Sequence, residues 1–348
     1  MTPLLEDAIE PRRSVEPTKI ERPSETNSVP KVGPASAAIL KPAPPVVPTH
    51  ALNQWISWET WSQANGFGKP QRVAGATNLS FRVKNTDAQL AITIGSPLAR
   101  WNGVSLELAF APQFTNGQPY VHALDALKNF DPLTANHPRL CGTNRTIVID
   151  PGHGGENTGA RCVCNKSFEK HYALDWALRL RPLLEARGWK VCLTRTNDID
   201  VALSNRVAFA ESVQADLFLS LHFNSSNSGI NNRHESGGLE TYCLTPAGMP
   251  STLTRQFDDP RFRTYPNNAY DAQNLQYALR VHRALVEATA QRDRGVRRAR
   301  FMTVLQGQNR PAVLVEGGYL SDPKEARLIA TPSYRQKLAE AVAKALTD

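Results

Sequence analysis

The sequence predicts an α/β protein: a mostly parallel sheet flanked by helices, preceded by a small α+β module and a disordered proline-rich arm. Three observations predict it. Short apolar runs such as Thr146-Ile147-Val148-Ile149, Leu217-Phe218-Leu219-Ser220-Leu221 and Ala312-Val313-Leu314-Val315 show no alternation, as expected of strands buried on both faces. Helical stretches separate these runs, the order of a parallel α/β domain. Residues 1–50 hold ten of the 25 prolines and no aromatic side chain, so they bury too little apolar area to offset the entropy of ordering.

The arm ends in the extended stretch Lys41-Pro42-Ala43-Pro44-Pro45 and reads as a spacer. Residues 51–134 form the small accessory module. Trp55, Trp58 and Trp61 recur at threes and suggest a short amphipathic helix, with the tryptophans expected in a core rather than on a sugar platform. Leu79-Phe81-Val83, Leu90-Ile92-Ile94 and Val104-Leu106-Leu108 alternate like half-buried strands. Asn116-Gly117 supplies a turn before Tyr120-Val121. Residues 143–348 form the larger domain, the one that the residues below mark as catalytic. Over 172–187 the apolar residues Ala173, Leu174, Ala177, Leu178, Leu180 and Leu184 mark a helical stripe that stops at Gly188. A strand follows at 190–195, and helices are expected at 203–212, 275–290 and 334–346. The proline- and asparagine-rich stretch 245–274 has little periodicity and reads as a lid, a substrate-binding insertion or a surface excursion.

The net charge is +8 and the isoelectric point near 9.3, which favours approach to acidic polymers. The basic residues concentrate at 292–300, where no nucleic-acid motif surrounds them, so a basic rim beside a substrate cleft is expected. No segment reaches the roughly 18 consecutive apolar residues of a membrane span, and the first 30 residues lack a signal-peptide pattern. Of five cysteines, Cys192 and Cys243 read as core, while Cys141, Cys162 and Cys164 flank the His153 loop and suit one disulfide in an oxidising compartment. Cys162-Val163-Cys164 is too tight for the usual zinc spacing.

Four residues carry the chemistry. Asp150-Pro151-Gly152-His153 ends one apolar run, Glu169 opens a helix sixteen residues on, His222 ends a second run and Glu316 a third. In open α/β sheets such strand ends converge on one site. Catalytic zinc takes three protein ligands and leaves a fourth position to water, so two histidines and one glutamate fill the set and one glutamate remains for proton transfer. Each has a plainer reading: a loop histidine, a helix-dipole complement at Glu169, a satisfied core histidine at His222. Glu316 is hardest to dismiss, because burying a carboxylate without a partner is costly. His171 diverges from Glu169 by about 200° on the helix. His50, His122 and His137 fall outside the α/β domain, and His234 and His282 follow no strand.

These residues also match a family. Residues 146–346 resemble the zinc-dependent N-acetylmuramoyl-L-alanine amidases, the type 3 amidase domain of bacterial cell-wall hydrolases. The resemblance rests on Ile-Asp-Pro-Gly-His-Gly-Gly at 149–155, Glu169-Lys170, Leu-Thr-Arg at 193–195, Asn205-Arg206 and Leu-Ser-Leu-His-Phe-Asn at 219–224. It continues through Gly-Leu-Glu-Thr-Tyr at 238–242, Arg294-Gly295-Val296 and Pro-Ala-Val-Leu-Val-Glu-Gly-Gly-Tyr-Leu-Ser at 311–321. It implies Zn2+ held by His153, Glu169 and His222, with Glu316 as the catalytic glutamate. Phe223 stands where the family usually has Ala, and Gly317 where it usually has Thr or Ser, departures expected to alter substrate fit while leaving the ligands whole. Asn116-Gly117 with Tyr120-Val121 and Leu124-Asp125 resembles the small domain first described at the amino end of copper amine oxidases.

The implied activity is hydrolysis of the amide between the muramic acid lactyl group and L-alanine of peptidoglycan stem peptides, in cell-wall remodelling or cell separation. Asn224 and the Gly154-Gly155 turn are candidate oxyanion donors. Arg195 and Arg206 are candidate contacts to stem-peptide carboxylates, against a favoured structural ion-pair role, and Glu240 is a reserve carboxylate. The expected partners are peptidoglycan and a protein activator, without nucleic acid or a transmembrane segment, and a monomer is expected. The place would be the periplasmic or extracellular envelope, although no signal peptide is visible in the chain as given. The alternatives are a zinc peptidase or amidohydrolase on another amide, and a non-catalytic wall-binding regulator.

Overall fold

The computed structural model describes residues 54–135, 145–226 and 237–347. The arm at 1–50, His50, Cys141, His137 and His234 lie outside the described residues.

The first segment begins with β1 (Trp55–Ser57) and α1 (Trp58–Ala64). A meander follows: β2 (Gln71–Arg72), β3 (Ser80–Lys84), β4 (Gln89–Thr93), β5 (Leu98–Trp101) and β6 (Val104–Glu107). Next come β7 (Gln113–Thr115), β8 (Gln118–His122), α2 (Ala123–Asp125), a π-helical turn (Ala126–Phe130) and α3 (Asp131–Thr134). Asn116 and Gly117 both take positive φ between β7 and β8, the conformation a tight hairpin needs. The tryptophan helix is shorter than its spacing suggested. Trp55 lies in β1, paired with His122, while Trp58 and Trp61 stack within α1 at 4.9 Å and are buried.

The larger segment runs β9 (Thr146–Pro151), α4 (Glu169–Glu185), β10 (Lys190–Leu193), α5 (Leu203–Ser212), β11 (Leu217–Asn224) and β12 (Leu239–Cys243). It continues through α6 (Asp271–Thr289), β13 (Asp293–Arg298), α7 (Thr303–Gln306), β14 (Ala312–Tyr319), α8 (Pro323–Ala330) and α9 (Pro332–Ala345). The apolar runs became β9, β11 and β14, which pair in parallel in the order β10-β9-β11-β14. β12 joins β14 antiparallel. Both faces are covered, which is why these runs show no alternation. Ile149, Leu219, Leu221 and Val315 pack in one cluster with Trp176 and Leu338, and Val148, Phe218 and Leu314 in the other with Ala210 and Leu305. On α4 the buried stripe includes Tyr172 and Trp176, whereas Leu178 is exposed.

The accessory segment does not keep its meander to itself. β13 pairs with β12 and, at Val296 and Leu106, with β6, so β2–β6 extend the sheet of the larger segment to eleven strands. The joint is polar as well: Ser105 N donates to Asp293 Oδ2 at 2.9 Å, and Arg297 meets Glu107 at 2.7 Å. β1, β8 and β7 form a separate sheet. The boundary expected between 134 and 143 falls in a stretch mostly outside the described residues.

Candidate metal centre and active site

The register of three neighbouring strands sets the floor of the site. His222 on β11 is level with Glu316 on β14, and Glu316 is level with Glu240 on β12, so the three side chains project from one face of the sheet. β9 ends one strand further over and turns at Gly152, whose N–H donates to Leu221 O at 3.0 Å. A Cβ at Gly152 would overlap the His222 ring, so this turn needs glycine for space. His153 then takes a left-handed backbone, φ 61°, which delivers its imidazole beside His222, ring centroids 4.9 Å apart.

Glu169, the first residue of α4, is buried and reaches both rings. Its Oε2 lies 3.1 Å from His153 Nε2 and its Oε1 2.9 Å from His222 Nδ1. Ala160 N and Phe223 N donate to the same carboxylate at 2.9 and 3.1 Å. Burial pushes this carboxyl up, but the hydrogen bonds and charges of His153 and His222 outweigh it and hold the group well below the usual range. One ligand atom from each of His153, Glu169 and His222 fits within 4.8 Å of the others, a group able to hold a metal ion. Asn157 Oδ1 sits 2.8 Å from His153 Nδ1, the kind of partner that fixes which ring nitrogen stays available.

Glu316 is buried, and its Oε2 has no hydrogen-bond partner among the described residues. Burial first, then the neighbouring Glu169 charge, push its carboxyl well above the ordinary value. Glu240 beside it is differently placed: Arg294 Nε and Arg297 Nε lie 3.0 and 3.3 Å from Oε1, and Asn224, Tyr242 and Tyr319 donate to Oε2. Burial would raise this carboxyl, yet Arg297 and Arg294 prevail and lower it.

Several expected roles look different in place. Asn224 Nδ2 is spent on Glu240 at 2.7 Å. Gly154 N donates to Asn157 O and Gly155 N to Asp198 Oδ1, each at 2.8 Å. The two backbone N–H groups are therefore committed within the loop, while the Asn224 amide has one of its two N–H donors recorded in a bond. Arg195 and Arg206 instead keep to the structural role favoured from the sequence: both are buried and act as latches on the His153 loop. Arg195 donates to Pro151 O, Gly152 O, Lys170 O and Asn197 O. Arg206 binds Asp150 at 2.6 Å and donates to Pro151 O, Val201 O and His153 O. Phe223 faces away from His222, against Trp176 at 5.5 Å, and a Cβ at Gly317 would lie 2.8 Å from the Phe223 ring. The two departures from the family pattern therefore compensate each other in the core rather than shaping the cleft.

Beyond the exposed Arg292, the basic run 292–300 is not a solvent rim either. Arg298 and Arg300 are buried, and Arg294 and Arg297 pair with Glu240 and Glu107. Arg300 clamps the insertion through Pro246 O, Met249 O and Asp259. The insertion holds a residue that aperiodic sequence did not mark: Arg255, whose Nη2 donates to Asn224 Oδ1 at 3.2 Å. Asn157 was equally unmarked. Cys162 and Cys164 are free thiols with their sulfurs 2.8 Å apart.

Fold and site together define an α/β protein whose histidine–carboxylate group, at strand ends, is able to hold a metal ion. Residues 147–348 match the family described as N-acetylmuramoyl-L-alanine amidase, and the chain belongs to that family. It is 29% identical over 296 residues to the N-acetylmuramoyl-L-alanine amidase LytC of Bacillus subtilis, covering 82% of this chain and 50% of that one. It is 32% identical over 225 residues to AmiA of Salmonella typhimurium, covering 58% and 75%. The chain thus spans half the length of the first relative. A solved catalytic domain of CwlV, from Bacillus (Paenibacillus) polymyxa, is 30% identical, covers 58% of this chain and 96% of its own, and superposes with a TM-score of 0.47.

Proposed function

We propose that this protein is a zinc-dependent amidase that cleaves the bond between the lactyl group of muramic acid and the L-alanine of peptidoglycan stem peptides. The observation that carries the reading is the convergence of His153, Glu169 and His222 next to a buried glutamate with an unclaimed oxygen. The donor set fits zinc: two imidazoles and one carboxylate are a common catalytic complement, and the two Glu169 oxygens already face one nitrogen of each ring. When bound, zinc acidifies a water and polarises the scissile carbonyl.

The chain's own residues supply the rest. Arg195 and Arg206 pin the carbonyls around His153, so that its ring is held before substrate arrives. Glu316 Oε2 takes the proton from the attacking water and returns it to the departing alanine nitrogen, a transfer open to it because no hydrogen-bond donor among the described residues holds that oxygen. Glu240 is already claimed by two arginines, two tyrosines and Asn224, which leaves Glu316 as the acid–base group. The whole is read as an envelope enzyme, periplasmic or extracellular, acting as a monomer, with residues 143–348 carrying catalysis and a protein activator as a partner to seek.

Mass spectrometry of products released from purified sacculi tests this. The zinc-loaded protein is expected to release intact stem peptides with L-alanine at the amino end, and EDTA is expected to stop it. Glu316→Gln should keep zinc and lose most activity. Peptides cut elsewhere would support a peptidase instead, and an active Glu316→Gln protein would remove Glu316 from the mechanism.

A further inference from the structure

Arg195 and Arg206, the cations that the sequence offered for stem-peptide carboxylates, spend their guanidinium groups inside the protein. We infer that Arg255, carried by the 245–274 insertion, is the cation of a carboxylate subsite beside Glu316, and that it binds the free carboxylate on the residue following L-alanine in an acidic stem peptide. The inference rests on the amidase reading and adds a substrate requirement to it.

Four observations support the assignment. Arg255 reaches the site, since its Nη2 donates to the side chain of Asn224, two residues past His222, and the charges of Glu316 and Glu240 act on it. It is exposed, unlike the latch arginines. Among the described residues it has no carboxylate partner, whereas Arg294, Arg297 and Arg300 pair with Glu240, Glu107 and Asp259. A guanidinium carries five N–H donors in a planar fork, so the bond to Asn224 leaves enough of them for a two-pronged grip on a carboxylate.

The loop is also built to present this residue. Arg255 and Gln256 both lie in the left-handed region, φ 49° and 68°, a conformation that residues with side chains adopt at a cost and that recurs at ligand-binding sites. The stretch is tethered on both sides: Thr252 N donates to Arg298 O at 2.9 Å, and Asp259 is held by Arg300. Between the tethers Phe257 stacks on Phe301 at 5.1 Å, and Phe301 lies 5.8 Å beneath the Arg255 guanidinium. The head group is thus placed by contacts on its stem and ring side, with its charge left over.

The test uses the zinc-loaded full chain and two synthetic muramoyl peptides that differ only in the second residue, D-glutamate with a free α-carboxylate or its amide. The wild type should prefer the acid by about 10-fold or more in kcat/KM, the scale of one charge-assisted hydrogen bond. Arg255→Gln should bring the ratio of the two substrates to about one, chiefly through KM for the acid, and Arg255→Lys should restore part of it. Zinc content and circular dichroism confirm that each variant is folded. A wild type without preference, or an Arg255→Gln protein that keeps the preference, overturns the subsite. Equal loss of kcat on both substrates also overturns it, because Arg255 would then act on Glu316 rather than on substrate. If the wild type cleaves neither peptide at the muramoyl bond, the amidase reading itself fails and takes the subsite with it.

Discussion

His153 is the residue most dependent on its neighbours. It holds a left-handed backbone, its Nδ1 meets Asn157 at 2.8 Å, and a Cβ on the glycine before it would overlap the His222 ring. Asn157→Ala is expected to weaken zinc binding by about 10- to 100-fold, the usual effect of losing a group that orients a ligand; competition against a chelator measures it, and unchanged affinity would show that the ring needs no such support. Gly152→Ala should act harder, displacing His222 and removing zinc from a protein that still folds, as metal analysis beside a melting curve would show. The convergence of His153, Glu169 and His222 was legible in the sequence because each of these polar residues follows an apolar run or opens a helix. Asn157 and Arg255 were not, since nothing in a loop's composition tells which of its side chains turns inward. For Arg195 and Arg206 the sequence favoured a structural ion-pair role, which Arg206 fills with Asp150; their grip on the loop was not marked, because most of their partners are backbone carbonyls.

Among the elements, β11, β14 and α4 meet at Phe223 and Gly317. Read in sequence alone, both positions look like changes to the cleft, but period-two alternation puts Phe223 on the face opposite His222, where it packs on Trp176. Phe223→Ala should cost about 3–5 kcal/mol as a core deletion. Gly317→Thr should also destabilise, because its Cβ would come within 2.8 Å of both Phe223 and Trp176 and 3.1 Å of Leu338. The double variant is expected to cost less than the sum, by about 0.5–3 kcal/mol of coupling, since the smaller residue opens the space the larger one needs. Urea unfolding of the four proteins decides it: strict additivity would mean that the two sites do not share that space. Unbroken apolar runs anticipated the sheet but not its edge. Apolar pattern gives a strand its faces, but it does not name the neighbour, and the β6–β13 pairing at Leu106 and Val296 had no mark of its own.

At the scale of the whole molecule, that joint is reinforced by a buried chain of polar groups. Asp125 Oδ1 accepts from Asn129 Nδ2 at 2.8 Å, and Asn129 Oδ1 accepts from Arg298 Nη2 at 3.2 Å, so the end of the accessory segment is bound to the strand that links it to the catalytic sheet. Burial pushes the Asp125 carboxyl up to about 7, against the opposing hydrogen bonds of Ala109, Phe110 and Asn129. In the unfolded chain the group ionises near 3.8. Between these values the folded protein keeps a proton that the unfolded chain has released, so this residue's contribution to stability declines as pH rises from about 4 to about 7 and is level above that. Asp125→Asn removes the titration while keeping an oxygen for Asn129. The stability of the wild type relative to Asp125→Asn should therefore fall across that interval and then flatten, in denaturation curves taken at several pH values. A difference independent of pH would mean that the carboxyl is ionised throughout and that its three donors outweigh its burial. A falling difference would mean that the union of the two segments loosens as the medium turns from acidic to neutral, a property that belongs to the continuous sheet and not to either segment alone.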